Sequence, residues 1–169
     1  MPDSERAVSA ESMPIGVGVN QRGLIKMTPD EVGAFLEASR VMTMCTLNHD
    51  GTIHAVAMWF GFLDGRIAIE TKAKSQKAQN LLRNPMMTCL LEAGETYDQL
   101  RGVELVGRAE LIDDPARMFE LGVSHFTRYH GEYDESKRPL VEALLHKRIV
   151  VALDVERTVS WDHRKLSGA

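Results

Sequence analysis

Seven consecutive residues, Thr71-Lys72-Ala73-Lys74-Ser75-Gln76-Lys77, bring together two hydroxyls and three ammonium groups. They fall where a strand-like run, Arg66 to Thr71, hands over to a helical stretch from Ser75 to Arg83. A helix start offers unpaired backbone N–H groups and the positive end of the helix dipole. With Ser75 Oγ and the Lys77 ammonium added, the Ser75-Gln76-Lys77 turn reads as a cradle for phosphate oxygens. The competing reading is an ordinary lysine-rich first turn in solvent. A second group is Trp161-Asp162-His163-Arg164-Lys165, where a flat aromatic stands beside cations and would suit a planar anion. The alternative there is a frayed basic tail. His54, at the start of a strand, is either a ligand contact or a surface histidine.

Other chemistries find no support. Ser124, Ser160, Cys45 and Cys89 lack an activating context, so no nucleophile and no catalytic residue is assigned. The six histidines show no pair at metal-ligand spacing with a matching carboxylate, so no metal site is expected. The glycines do not form G-x-G-x-x-G, which disfavours a Rossmann dinucleotide fold.

The elements that must position these groups read as one domain of mainly β character with capping helices. The 169 residues, 44% apolar, fit one hydrophobic core. The net charge of -4 argues against a nucleic-acid surface. Two cysteines in apolar runs read as buried reduced thiols of a cytoplasmic protein. No signal peptide or bilayer-spanning run is expected. Residues 1–26 read as a mobile N-terminal arm, and 27–169 as the domain. Thr28-Pro29-Asp30-Glu31 predicts a capped helix ending near Ser39. Arg40 to Leu47, Ile53 to Phe62 and Arg66 to Thr71 predict a three-stranded antiparallel meander. In the helix after Ser75, Ala78, Leu81 and Leu82 share an apolar face. Met86 to Leu91, Gln99 to Ile112 and Arg148 to Val155 predict further strands, with bends or bulges at Gly102 and Gly107. Helical stretches are expected from Asp113 to about Thr127 and from Pro139 to His146. About six strands with few helices suggest a small antiparallel barrel.

The ordered series Asp50-Gly51, Ile53 to Trp59, Ala68 to Thr71, Ser75 to Pro85, Arg101-Gly102-Val103, Leu105 to Leu111 and Asp113-Asp114-Pro115 resembles the pyridoxamine-5'-phosphate-oxidase-like family. That family has an FMN-binding-protein-like split β-barrel. Within it the chain is most similar to the actinobacterial flavin/deazaflavin oxidoreductases. The resemblance implies a homodimer that binds coenzyme F420, or alternatively FMN, in two sites at the subunit interface. It makes Lys77 the phosphate lysine, with Ser75 and Thr71 beside it. The backbone of Ala55, Val56 and Ala57 becomes the strand edge facing the ring. Pyridoxamine phosphate oxidases carry arginine where this chain has His54. A histidine there lacks the bidentate grip on the FMN phosphate. Lys72 and Lys74 would suit the polyglutamate tail of F420. The implied reaction is hydride transfer from C5 of the reduced deazaflavin to a conjugated small-molecule acceptor. Water, Tyr97 or His163 would supply the proton, and Trp59 and Trp161 would form pocket walls. The alternatives are an FMN-dependent reductase or oxidase of the same fold, or a non-catalytic carrier of the cofactor or a tetrapyrrole.

Overall fold

The structure, a computed structural model, describes residues 21–166. Most of the expected arm therefore lies outside the described residues; its last part is a short helix, α1 (Gln21–Ile25). Helix α2 (Pro29–Ala38) starts as its sequence demands. Thr28 Oγ1 accepts from Glu31 N–H at 3.3 Å, while Glu31 accepts from Thr28 N–H at 2.7 Å.

Seven strands follow: β1 (Met42–Leu47), β2 (Ile53–Met58), β3 (Gly61–Leu63), β4 (Arg66–Lys72), β5 (Met86–Ala93), β6 (Arg101–Ile112) and β7 (Arg148–Asp162). Helix α3 (Gln76–Arg83) connects β4 to β5. Helices α4 (Pro115–His130) and α5 (Arg138–Leu145) connect β6 to β7. All ladders are antiparallel, in the order β2-β1-β5-β6-β7-β4-β3. The two edge strands are consecutive in sequence, separated only by Trp59 and Phe60. Such a link spans at most about 11 Å, so the sheet has to curl until its edges nearly meet. A split barrel is the outcome.

This arrangement corrects the expected meander. Ile53 to Phe62 is not one strand: it breaks after Met58, and its second half joins the opposite edge. The break has a cause in α4. The Tyr129 hydroxyl accepts from Phe60 N–H at 3.0 Å and lies 2.9 Å from Phe60 O and 2.8 Å from Arg40 O. Ser124 Oγ accepts from Phe62 N–H at 2.9 Å. Backbone groups that a continuous ladder would satisfy are thus satisfied by a helix. The last strand also runs longer than expected, to Asp162, so Trp161 belongs to a ladder and not to a tail.

Met42, Met44, Ile67, Ile69, Met87, Cys89, Leu91, Val103, Leu105, Val151 and Leu153 fill the barrel, and Phe35 and Leu81 close it. Alternation sends Ala68, Val150 and Ala152 to the outer face, where they pack on Leu121 of α4. The β6–β7 ladder slips between Val106 and Gly107, where a Cβ on Gly107 would stand 1.9 Å from the Asp154 carbonyl. The bulge expected at Gly107 is therefore present. Gly102 is small for a different reason: the Trp161 ring occupies its Cβ space, 2.4 Å away. Cys45 and Cys89 are free thiols, and burial pushes Cys89 up to about 12. No helix among the described residues is long and apolar enough to cross a membrane.

Candidate functional site

The start of α3 is built as its residues require. Ser75 caps the helix, its Oγ accepting weakly from Ala78 N–H at 3.4 Å and lying 3.1 Å from Thr71 Oγ1. The first intrahelical bond is Gln79 N–H to Ser75 O. The N–H groups of Gln76 and Lys77 precede it and are left for an outside acceptor. The helix is seated by a residue that the apolar pattern overlooked. Asn80 is fully buried and donates to Thr46 Oγ1 at 3.0 Å and Asn48 Oδ1 at 2.9 Å on the β1 side. Its own Oδ1 accepts from Gln76 Nε2 at 2.9 Å. Leu82, expected on the buried face, is exposed instead. The eight-residue helix turns Ala78, Leu81 and Asn80 inward, which rotates Leu82 out to solvent.

Charge at this corner is one-sided. Lys72 on β4 stands opposite Arg148 on β7, two cations at one rung of the ladder. Like charges in that position repel. Burial and the Arg148 charge push the Lys77 ammonium below the usual lysine range. A hollow of about 660 Å³ beside them is lined by Lys72, Ala73, Lys74, His146, Lys147 and Arg148, with no carboxylate. Among the described residues none of Lys72, Lys74, Lys77, Lys147 or Arg148 forms an ion pair with the protein. Repulsion left uncompensated by protein is what an anionic ligand would relieve. Arg148 and Lys147 escaped the sequence reading because they join the lysines only through strand pairing across the chain.

The other candidate residues divide into two places. His54 is half-buried and shares a hollow of about 370 Å³ with Asn48, His49, Asp50 and Gln76, on the other side of the α3 start. Ala55 and Ala57 lie on the exposed face of edge strand β2, and Val56 faces the core side. His54 thus sits beside Gln76, while Ala55, Val56 and Ala57 run on from it along β2, and Thr71, Lys72, Lys74, Ser75 and Lys77 gather where β4 hands over to α3. Trp161 stands apart at the far end of β7, with Lys165 just past it, on the order of 40 Å of extended strand from Arg148. Trp161 lines a separate hollow of about 560 Å³ with Arg22, Lys26 and His163. Lys165 is occupied, bonding Glu31 at 2.6 Å and Lys26 O at 2.9 Å. Asp162 pairs with Arg164 at 2.5 Å, and that hydrogen bond holds its carboxyl below the usual range. Tyr97 and His163 stand together, rings 4.5 Å apart, with His163 Nδ1 2.9 Å from Tyr97 O. Ser160, like Ser124, serves the backbone: its Oγ accepts from Met27 N–H at 3.2 Å.

Comparison with known proteins bears on this geometry. The family described as pyridoxamine 5'-phosphate oxidase matches residues 28–162. A conserved hypothetical protein from Mycobacterium tuberculosis is 46% identical, with a TM-score of 0.85 over 88% of this chain and 93% of that one. An F420 reductase is similar at 24% identity and a TM-score of 0.56, covering 74% of this chain and 93% of its own. The heme storage protein HutZ from Vibrio cholerae is similar at 14% identity and a TM-score of 0.61, covering 78% and 94%. The last two likenesses are of fold alone. No curated protein sequence matches.

Proposed function

We propose, proceeding from the fact that this chain belongs to the pyridoxamine 5'-phosphate oxidase family, that it is a split-barrel oxidoreductase using coenzyme F420. It works as a homodimer with the cofactor at the subunit interface and a conjugated small molecule as acceptor. One observation carries the reading. At the Ser75-capped start of α3, Lys77 is half-buried, its proton loosened by burial and by the Arg148 charge, and among the described residues no carboxylate pairs with it. Such a corner suits a phosphate.

The residues fit the cofactor's chemistry. Ser75 Oγ and the N–H groups of Gln76 and Lys77 would receive phosphate oxygens, and Lys77 would neutralise them. Lys72, Lys74, Lys147 and Arg148 form an open cationic hollow suited to an extended polycarboxylate tail. His54 offers one ring nitrogen where a guanidinium would grip a phosphate with two. That difference favours F420 over FMN. The edge of β2, with Ala55 and Ala57, would give a ring a flat backbone surface without bulky side chains. When bound, the deazaflavin supplies the hydride; the protein's part is to bind, orient and exclude water. Trp161 and Tyr97–His163 are remote from α3 within one protomer. They would reach the same site only from the other subunit, as a symmetric interface would allow. The free thiols accord with a reducing, cytoplasmic setting.

Titration of the purified chain with F420 and with FMN, followed by fluorescence quenching, tests the proposal. Saturable F420 binding, clearly tighter than FMN, is expected, from a colourless preparation. Tighter FMN binding would move the reading to the FMN-dependent alternative, and failure to bind either would sink it. Binding without turnover on quinone, enone and tetrapyrrole panels would favour a carrier.

A further inference from the structure

Glu70 alternates with the core residues of β4 and so faces outward, toward α4. There the His125 Nδ1 lies 2.5 Å from its carboxylate, and both side chains are more than nine-tenths buried. Among the described residues His125 Nε2, the polar atom not engaged with Glu70, is buried without a hydrogen-bond partner. His125 lines a cavity of about 180 Å³ with Met58, Trp59, Glu70, Tyr129, His130, Leu144 and Arg148. Trp59 and Tyr129 stack at 4.4 Å, nearly parallel, as one wall. A single water claims about 30 Å³, while a cavity of about 150 Å³ takes a benzene ring.

We propose that this cavity binds a small single-ring organic anion, such as an aromatic carboxylate. Arg148 would pair with the carboxylate and His125 Nε2 would hydrogen-bond it, the ring lying against the Trp59–Tyr129 wall. To hydrogen-bond the carboxylate from Nε2, His125 has to donate from both ring nitrogens; the Glu70 carboxylate on Nδ1 offsets the charge this puts on the ring, and the ligand offsets Arg148. A neutral ligand would forgo the ion pair with Arg148. The pocket lies on the outer face of β4, under α4 and α5, and shares only Arg148 with the cationic hollow beside α3. It holds whether or not the F420 reading does.

Benzoate and its neutral isostere benzamide are the probes, titrated into the full-length chain carrying Trp161→Phe. Trp59 is then the only tryptophan. Saturable quenching by benzoate is expected, with benzamide roughly tenfold weaker. Arg148→Met and His125→Phe should each weaken benzoate binding roughly tenfold, and Lys77→Ala should leave it within about threefold. Should His125→Phe fail to fold for want of a partner to Glu70, Arg148→Met decides. Absence of saturable benzoate binding at millimolar concentration, equal binding of benzamide, or full binding by Arg148→Met would overturn the proposal. Loss of benzoate binding in Lys77→Ala alone would place the anion at α3 and overturn it too, leaving the cofactor reading intact.

Discussion

Lys77 is the residue on which the cofactor reading turns, and its environment gives a prediction with a sign. Burial and Arg148 disfavour its charged form. The folded state therefore binds this proton less readily than the unfolded chain does. Stability should rise with pH as it moves from below the folded pKa to above the ordinary lysine value, and at neutral pH the charge is a liability. Lys77→Ala should leave the melting temperature of the cofactor-free protein unchanged or slightly higher, by scanning calorimetry. The same substitution should weaken F420 binding by about 1–3 kcal/mol, the range for a charge-assisted contact. A marked drop in cofactor-free stability would make Lys77 a structural residue. The lysines and Ser75 were legible in the sequence because they are neighbours in the chain. His125 was not. Its partner Glu70 is fifty-five residues away, and a histidine–carboxylate pair on two separate elements leaves no short-range spacing to find.

At the scale of elements, α3 matters as the body that aims Ser75 and Lys77. Its seat is polar. Asn80 donates to Thr46 and Asn48, and Arg83 donates to Leu47 O, so the helix is bonded to β1 at several points. Asn80→Leu should cost about 1–3 kcal/mol in urea unfolding, since Thr46 and Gln76 lose a buried partner. It should also weaken F420 binding, because Gln76 and the first turn lose their anchor. Unchanged F420 affinity would show that the turn is positioned by Ser75 and Thr71 alone. Helical spacing alone could not find this seat: Leu81 and Leu82 look equivalent in a short amphipathic stretch, and packing buries only Leu81. Likewise, the apolar run from Ile53 to Phe62 contains nothing that marks a break. Tyr129 makes the break, by bonding both backbone groups of Phe60 from another element.

For the whole molecule, the exposed face of β2 is apolar, with Ile53 70% exposed above Ala55 and Ala57. An edge strand with such a face calls for cover. In the proposed homodimer a second copy covers it, so Ile53→Glu should shift the sedimentation coefficient from dimer to monomer and lower F420 affinity in parallel. A parent chain that sediments as a monomer would overturn the dimer. The sequence by itself determined the local matters: the Thr28 capping box, the Ser75 cap, the helix starts at Pro29 and Pro115 and the cluster of cations after β4. Each depends on residues within a few positions of one another, where capping geometry and φ/ψ preference act directly. Only the tertiary structure decided that β2 and β3 lie on opposite edges, that Arg148 stands against Lys72 and Lys77, that Glu70 meets His125, and that Trp161 and Lys165 lie far from α3. Those outcomes depend on how the barrel closes, and closure is fixed by long-range pairing and core packing, which no short window of residues contains.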